Sequence, residues 1–224
     1  MARLGTVIEL MQGARDRYST LDLRIHVRVD DDLLLGSVEG GRSSRVADGD
    51  ADTATLGVRE LDVRASVASP RRWRMRFPDH EQGRDGNRWW STDLNGFTTG
   101  VGGRTGVDTP ESDVQPFEEL WDPGLVIAEV WCELAGRTTV AGRNGITVRA
   151  RPRPVPRPNG LDYIVFDWPG GDSHELVVDT ELGIVLRLRS FLGGQEFLRE
   201  EITELGVDPT LPEGFFVDGT RADG

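Results

Sequence analysis

Apolar and polar residues alternate with a period of two along most of this chain, and this pattern constrains the fold more than any other feature. The alternation is clearest in residues 21–30, where every second side chain is apolar: Leu21, Leu23, Ile25, Val27 and Val29. Because successive side chains of a β-strand point to opposite faces, such a run predicts a strand with one apolar and one solvated face. Similar runs recur between residues 61 and 205, and they predict about ten strands in total.

The connections between these runs are short, and their length decides how the strands pair. Asn95-Gly96 and residues 141–145 have the composition of tight turns between paired strands. Parallel strands would need long crossover connections, for which there is no room. Neighbouring strands are therefore expected to be antiparallel, in one curved sheet.

Two segments depart from the strand pattern and predict helices. Residues 2–17 carry apolar side chains three and four positions apart, which predicts an amphipathic helix from Ala2 to Arg17. Residues 122–133 combine a capping Asp122, Pro123 in the first turn and a largely apolar run, which predicts a central helix from Asp122 to Glu133. These helices are the elements available to cover the apolar side of the sheet. The sequence thus predicts a mainly β (α+β) fold: a half-open barrel of antiparallel strands with both helices against its concave face.

A single domain over residues 1–224 fits this continuous series of strands. Two stretches inside it are predicted to be flexible loops. Residues 30–53 are rich in Asp, Gly, Ser and Arg, and residues 151–160 are rich in proline. Residues 218–224 are predicted to form a frayed tail.

Charge and composition exclude several classes of function. The chain has 26 basic against 38 acidic residues and a net charge of −12, which opposes nucleic-acid binding. Every basic residue is Arg, so lysine-dependent chemistry such as Schiff-base formation is excluded. The lone Cys132 rules out an intramolecular disulfide and a cysteine zinc site, and its place in the predicted apolar helix suggests a buried, inert thiol.

No candidate catalytic, metal or cofactor site is found in the sequence. The three histidines are scattered and each is expected to be solvated. Residues 173–175 place Ser, His and Glu in succession, but neighbours on a strand point apart. Residues 48–52 resemble the start of a calcium loop but lack its turn glycine and its closing Glu. Residues 100–106 are rich in glycine without the strand and helix of a nucleotide-binding unit. A non-enzymatic protein without cofactor or metal is expected.

Targeting signals are equally sparse. The first residues lack the charged segment, apolar run and cleavage site of a secretory signal. No stretch approaches the ~18 apolar residues of a membrane span. The expectation is therefore a cytoplasmic protein, or an extracytoplasmic one if a leader has been removed.

Several segments, in order along the chain, resemble the LolA-type and RseB-type lipoprotein carriers. Residues 69–78 and 85–90 are similar to the family's proline, aromatic strand and Asp-Gly turn before a second aromatic strand, and residues 136–149, 178–187 and 211–216 resemble its later strands. The resemblance implies a half-open barrel with helices across its mouth and an apolar chamber. In the family an Arg precedes the proline and is thought to latch the helical lid. Ser69 stands at that position here, which leaves the latch unassigned.

The predicted function is non-catalytic binding of an apolar or lipid-like ligand, such as a lipid or the acyl chain of a lipoprotein, between sheet and helices. Because Trp89 and Trp90 are neighbours on a strand, one of them can face inward, and Trp90 is the one assigned there. The candidate lining is Ile25, Val27, Val63, Trp73, Met75, Phe77, Trp90, Leu125 and Trp131. The alternative is a regulatory or protein-interaction module in which these side chains fill a core and no small ligand binds.

A second candidate site is a cationic strip around the proline-rich segment. It consists of Arg149, Arg151, Arg153 and Arg157. In an otherwise acidic chain such a strip could bind an acidic protein partner. The competing interpretation is a solvated, stiff linker between two strands.

Overall fold

The computed structural model of the protein describes residues 3–34, 57–69, 72–93, 96–101, 117–127, 130–153 and 171–217. These ranges contain the helices α1 (Leu4–Gln12), α2 (Glu118–Trp121) and α3 (Gly124–Ile127), with a 3-10 helix at Ala14–Arg17. Their strands are β1 (Leu21–Asp30), β2 (Val58–Ser69), β3 (Arg72–Arg76), β4 (Glu81–Asp85), β5 (Arg88–Asp93), β6 (Gly96–Val101), β7 (Val130–Val140), β8 (Arg143–Pro152), β9 (Ser173–Asp179), β10 (Val185–Leu192) and β11 (Gln195–Val207).

All eleven described strands belong to one open antiparallel sheet. Their order is β6-β5-β4-β3-β2-β1-β11-β10-β9-β8-β7, so two meanders are joined by the pairing of β1 with β11. The terminal strands β6 and β7 each pair with a single neighbour among the described residues. The predicted mainly β, half-open antiparallel fold is confirmed.

The two faces of this sheet differ in the way the alternation predicts. The inner face, which the helices cover, carries the buried apolar residues of each strand, and on β1 these are Leu21, Leu23, Ile25, Val27 and Val29. The outer face carries ladders of charged side chains. Arg24 lies 2.8 Å from Glu204, and Arg64 lies 2.8 Å from Asp22. Exposed pairs of this kind add little stability individually, but they keep the outer face compatible with water.

The predicted N-terminal helix is interrupted once. Helix α1 ends at Gln12, and Gly13 caps it by donating its backbone N–H to the carbonyl of Glu9 before the 3-10 helix begins at Ala14. The helix predicted from Ala2 to Arg17 is therefore two helical pieces around a glycine, with Ala2 outside the described residues.

The predicted central helix from Asp122 to Glu133 is wrong in its extent. Two single-turn helices, α2 and α3, flank Asp122, whose backbone is non-helical (φ −127, ψ 62) because Pro123 follows it. Strand β7 then begins at Val130 and pairs with β8 along its length. Residues 130–133 are thus strand, since a partner strand offers this apolar run a full set of backbone hydrogen bonds.

The loop predictions are corrected at their boundaries. Asp30 ends β1 and residues 31–34 are helical, while Arg151 and Pro152 end β8. The rest of the predicted loops, apart from Arg153, and the tail at 218–224 lie outside the described residues, so their flexibility stays a prediction, as does the single domain. In the ranges given above, no helix has the length and apolar character needed to cross a membrane.

Candidate functional site: the covered inner face

Six of the nine candidate lining residues lie together on the inner face of β1, β2 and β3. Ile25 is directly opposite Val63, and Trp73 and Met75 continue this face on β3. Val27 is also buried on this face, and Phe77 is half-buried against it just beyond β3. The sequence therefore identified a contiguous apolar surface.

A cover segment, defined here as residues 117–127, packs against the inner face of the sheet. At one end the ring of Phe117 is 6.4 Å from that of Phe77. Its helix α2 packs against β10, and α3 packs against both α1 and β7. The segment therefore reaches from the end of β3 to the edge strand β7.

The cover segment is held by polar contacts as well as by packing. Arg15 donates a hydrogen bond to Glu118 at 2.8 Å and forms an ion pair with Asp122. The Tyr18 hydroxyl donates to the carbonyl of Trp121 at 2.9 Å, and burial raises the pKa of that hydroxyl. These contacts fix the segment to the end of the N-terminal helical region.

Three of the candidate lining residues are completely enclosed by protein. Ile25, Val63 and Met75 are 0% exposed, which means that no water-sized space lies beside them. Leu120 and Trp121 of α2 are also buried and belong to the same apolar cluster. A ligand at this position would have to displace protein atoms.

Trp90, the tryptophan assigned to the inner face, lies on the outer face instead. It pairs with Gly83, which pairs with the outward-facing Arg74. Its indole N–H donates to the carbonyl of Phe216 at 3.3 Å, so the C-terminal segment buries it from outside. Trp89 has the inward position, in register with the row that contains Trp73. A shift of one residue in register exchanges the faces of two neighbours, and the sequence pattern alone did not fix that register.

Two further candidates are not part of this surface as described. Trp131 lies on β7 rather than in a helix, and its side chain is 63% exposed, with the Arg153 guanidinium 4.5 Å from its ring centre. Leu125 belongs to α3, and its side chain lies outside the described part of the structure.

A pair of carboxyl groups between cover and sheet was missed by the sequence reasoning. Glu200 lies on the inner face of β11, opposite Val27 and Leu188, and is 6% exposed. Its carboxyl group interacts with that of Glu119 on α2, and burial raises the pKa of both carboxyls. Two carboxyl groups can share a hydrogen bond when one holds a proton. The pair is therefore a protonation-dependent link between cover and sheet.

The sequence did contain a signal for Glu200. It stands between Leu198 and Ile202 at spacings of two, so the alternation places it on the apolar face. A charged residue at an inward position indicates either a polar partner or a site.

His174 is a second buried polar group on the inner face, contrary to the expectation that all three histidines are solvated. Its Nδ1 lies 2.9 Å from the Ser190 hydroxyl on β10, and burial lowers the pKa of the imidazole to about 4. Its neighbours point elsewhere: Ser173 donates to Asp172, and Glu175 accepts from Arg189 on the outer face. The Ser-His-Glu run therefore does not converge as a catalytic triad.

Cys132 is half-buried on β7 and not in a helix. Burial raises the pKa of its thiol, which favours the neutral form. This agrees with an unreactive side chain, although the predicted element was wrong.

The structure places three residues of the cationic strip at the edge of the sheet. Arg151 and Arg149 lie on β8, opposite Trp131 and Glu133 of β7. Arg153 follows β8 and donates its Nε to the carbonyl of Val130 at 2.9 Å. Arg157 lies outside the described residues.

The comparisons with known proteins concern the fold. No family model and no curated protein matches the chain. Among solved structures, it is similar to a chain in the Pseudomonas aeruginosa MucA/MucB complex (14% identity, TM-score 0.54, covering 96% of this chain and 61% of that chain). It is also similar to MucB alone (16% identity, TM-score 0.50, 96% of this chain and 62% of that chain). A third similar structure is an uncharacterized conserved protein from Thermus thermophilus (10% identity, TM-score 0.52, 98% of this chain and 96% of that chain).

These likenesses differ in extent. The chain spans about three fifths of the two chains from the MucB structures, and nearly all of the Thermus protein. Identities of 10–16% show a shared fold and nothing finer. The chain therefore shares the fold of these structures, which supports the LolA/RseB-type fold that its sequence predicted.

Proposed function

We propose that this chain is a non-catalytic protein-interaction module built on a filled core. The observation that carries the proposal is the packing of the inner face, where Ile25, Val63 and Met75 are fully enclosed by protein. A carrier would present a space there, whereas a module that binds through its surface needs a rigid, filled interior. The alternative recognised in the sequence is thus the one that the geometry favours.

One of the fold relatives gives modest additional support. A similar chain was solved in a complex of MucA with MucB, so a protein of this fold takes part in a protein–protein complex. That relative is longer than this chain, since the similar part is 61% of its length. The fold relatives give no support to the predicted cytoplasmic location.

A second candidate is the binding of an apolar or lipid-like ligand after the cover segment lifts. The observation that favours it is the ionisable character of the cover's contacts, Glu119 with Glu200 and Arg15 with Glu118. Breaking such contacts would open part of the apolar inner face to a ligand. Each acyl CH₂ group buried there would contribute about 0.8 kcal/mol.

Native mass spectrometry of protein purified gently from its own organism distinguishes the two. The proposed function predicts the mass of the polypeptide alone, without adduct, unchanged after addition of fatty acids or phospholipids. A stoichiometric adduct that organic solvent releases as a lipid would overturn the filled-core proposal.

A matched pair of variants would locate such an adduct. Val63→Phe fills the inner face further, whereas Val58→Phe makes the same change at a position of β2 that is 51% exposed. Loss of the adduct in the first variant and its retention in the second would place the lipid under the cover segment.

The interaction itself requires a positive test. Photo-crosslinking residues placed in turn across the outer face and along β7 should yield a discrete adduct from one contiguous group of positions. The proposal is supported when the partner, identified by peptide mass spectrometry, forms the same complex from purified components. Absence of a complex at every position would refute it.

A further inference from the structure

The terminal strand β7 carries features of a docking edge. It is eleven residues long and pairs with β8 on one side, while no described strand pairs with its other side. An unpaired edge presents backbone N–H and C=O groups that an extended peptide can use as an additional strand. A bulge between Leu134 and Gly136 interrupts the regular edge, so the regular part is Val130–Leu134.

Exposed apolar groups concentrate at this part of the edge. Trp131 is 63% exposed and Leu134 is 37% exposed, and they stand out among the described large apolar side chains because both lie on one strand. Trp131 is on the outer face, and Leu134 is on the inner face in register with the buried Val148. A strand added here would therefore have apolar contacts available on both sides of the sheet.

The charge around Trp131 is positive. Arg151 lies directly opposite Trp131, and the Arg153 guanidinium lies 4.5 Å from its ring centre. Arg149 has two carboxylates nearby: Glu133, at 3.9 Å, and Glu175, which is directly opposite it on β9 and also accepts a hydrogen bond from Arg189. Because Arg149 faces Glu133 and Glu175, the local positive charge is concentrated on Arg151 and Arg153, in a chain with a net charge of −12.

Several other arginines of the outer face are paired. Arg64 and Arg24, for example, each lie 2.8 Å from a carboxylate. Within the described ranges, no carboxylate lies within ion-pair distance of Arg151 or Arg153. A partner that carries negative charge would therefore complement this part of the edge.

We propose that Val130–Leu134, together with Arg149, Arg151 and Arg153, binds an extended acidic segment of a partner protein as an added antiparallel or parallel strand. On the outer side, side chains of that segment lie beside Trp131 and Glu133 of β7, while Arg149 and Arg151 lie one strand further away on β8. The side chain beside Trp131 is near the Arg153 guanidinium that covers its ring, and it is acidic. Side chains of the segment on the inner side meet Cys132 and Leu134 and are apolar. The predicted recognition pattern is an alternation of acidic and apolar residues, and the proposal rests on the protein-interaction function above.

The test uses a fluorescein-labelled peptide of about nine residues in which Asp and Val alternate, a length that covers the regular edge with a margin at each end. Fluorescence anisotropy with the whole chain should show saturable binding that weakens as salt is added. A peptide with Arg in place of each Asp should bind at least about tenfold more weakly, since like charges would meet at the edge.

Variants identify the surface. Arg151→Glu and Trp131→Ala should each weaken binding by about tenfold. The matched control is Arg88→Glu, the same charge reversal at an exposed position of β5, which should leave binding unchanged. All three side chains are exposed, so the variants are expected to fold. Hydrogen exchange should show protection of residues 130–134 when the peptide is bound.

Several results would overturn the proposal. These are equal binding of acidic and basic peptides, equal loss in Arg151→Glu and Arg88→Glu, and protection confined to another part of the sheet. A concentration-dependent dimer abolished by Trp131→Ala would assign the edge to a second copy of the chain, and binding to vesicles of anionic phospholipid without peptide binding would assign it to a membrane surface. If a partner protein binds equally well to Trp131→Ala, the proposed site fails while the interaction function stands.

Discussion

Replacing His174 with glutamine should remove a large part of the acid sensitivity of this protein. The imidazole is 2% exposed on the inner face of β9, with its Nδ1 2.9 Å from the Ser190 hydroxyl. Burial lowers the pKa of the imidazole from 6.5 to about 4, because a charged ring would lose its hydration there. Glutamine keeps a polar group that can bond to Ser190 but does not titrate.

The magnitude follows from the two pKa values. Between pH 6.5 and 4 the unfolded chain binds a proton that the folded chain does not, so acidification favours unfolding. At about 1.4 kcal/mol per pKa unit, lowering the pKa from 6.5 to about 4 costs roughly 3 kcal/mol of stability by pH 4. Above pH 6.5 both states hold a neutral imidazole, and this contribution vanishes.

Urea unfolding from pH 4 to pH 8 measures this effect. The free energy of unfolding of the wild type, minus that of His174→Gln, should fall by roughly 3 kcal/mol between pH 7 and pH 4. Other titrating groups are common to both proteins and cancel in the difference. His26→Gln, which makes the same change on the solvated side of β1, is the control. A difference that is constant with pH, or an equal flattening in the control, would refute the role assigned to burial.

Three further outcomes are expected. In urea unfolding, Glu200→Gln should be more stable than the wild type at pH 7 but not at pH 4. Burial raises the pKa of Glu200, so the free energy of unfolding of the wild type falls as the pH rises above about 4.5. Gly183→Ala should destabilise the fold by roughly 1–3 kcal/mol more than Gly86→Ala, because both have positive φ but a Cβ at Gly183 would lie 2.1 Å from the carbonyl oxygen of Leu10; equal losses would contradict this. Trp90→Ala should lower the free energy of unfolding by about 3 kcal/mol or more, measured by thermal or urea unfolding. It should not change the binding of any ligand to the inner face, and loss of such binding would argue against the outer position of Trp90.

At the candidate site, the alternation of apolar and polar residues predicted the inward face of some strands but not of others. On β1 and β3 the inward residues were identified correctly, because a long run of period two leaves one consistent assignment of faces. At Trp89 and Trp90 both neighbours are aromatic, so the pattern has no preference, and the pairing of Gly83 with Trp90 decides which one faces outward.

The central segment shows a second limit. Residues 122–133 are apolar enough for a buried helix or a strand, and periodicity alone does not separate the two over such a length. The non-helical Asp122 before Pro123 and the pairing of β7 with β8 decide the outcome. The same error placed Trp131 in the interior, whereas in the structure Trp131 is exposed at the edge of the sheet.

By itself the sequence determined the sheet, its antiparallel pairing and the apolar character of its inner face. These follow from local rules: side chains alternate along a strand, short turns join antiparallel neighbours, and apolar faces must be covered. The tertiary structure decided the polar partnerships of that face, Glu119 with Glu200 and His174 with Ser190. It also decided that Ile25, Val63 and Met75 are fully enclosed and that the exposed Trp131 lies at an edge. Such features depend on which distant residues meet and on the register in which strands pair, and no local pattern of residues contains that information.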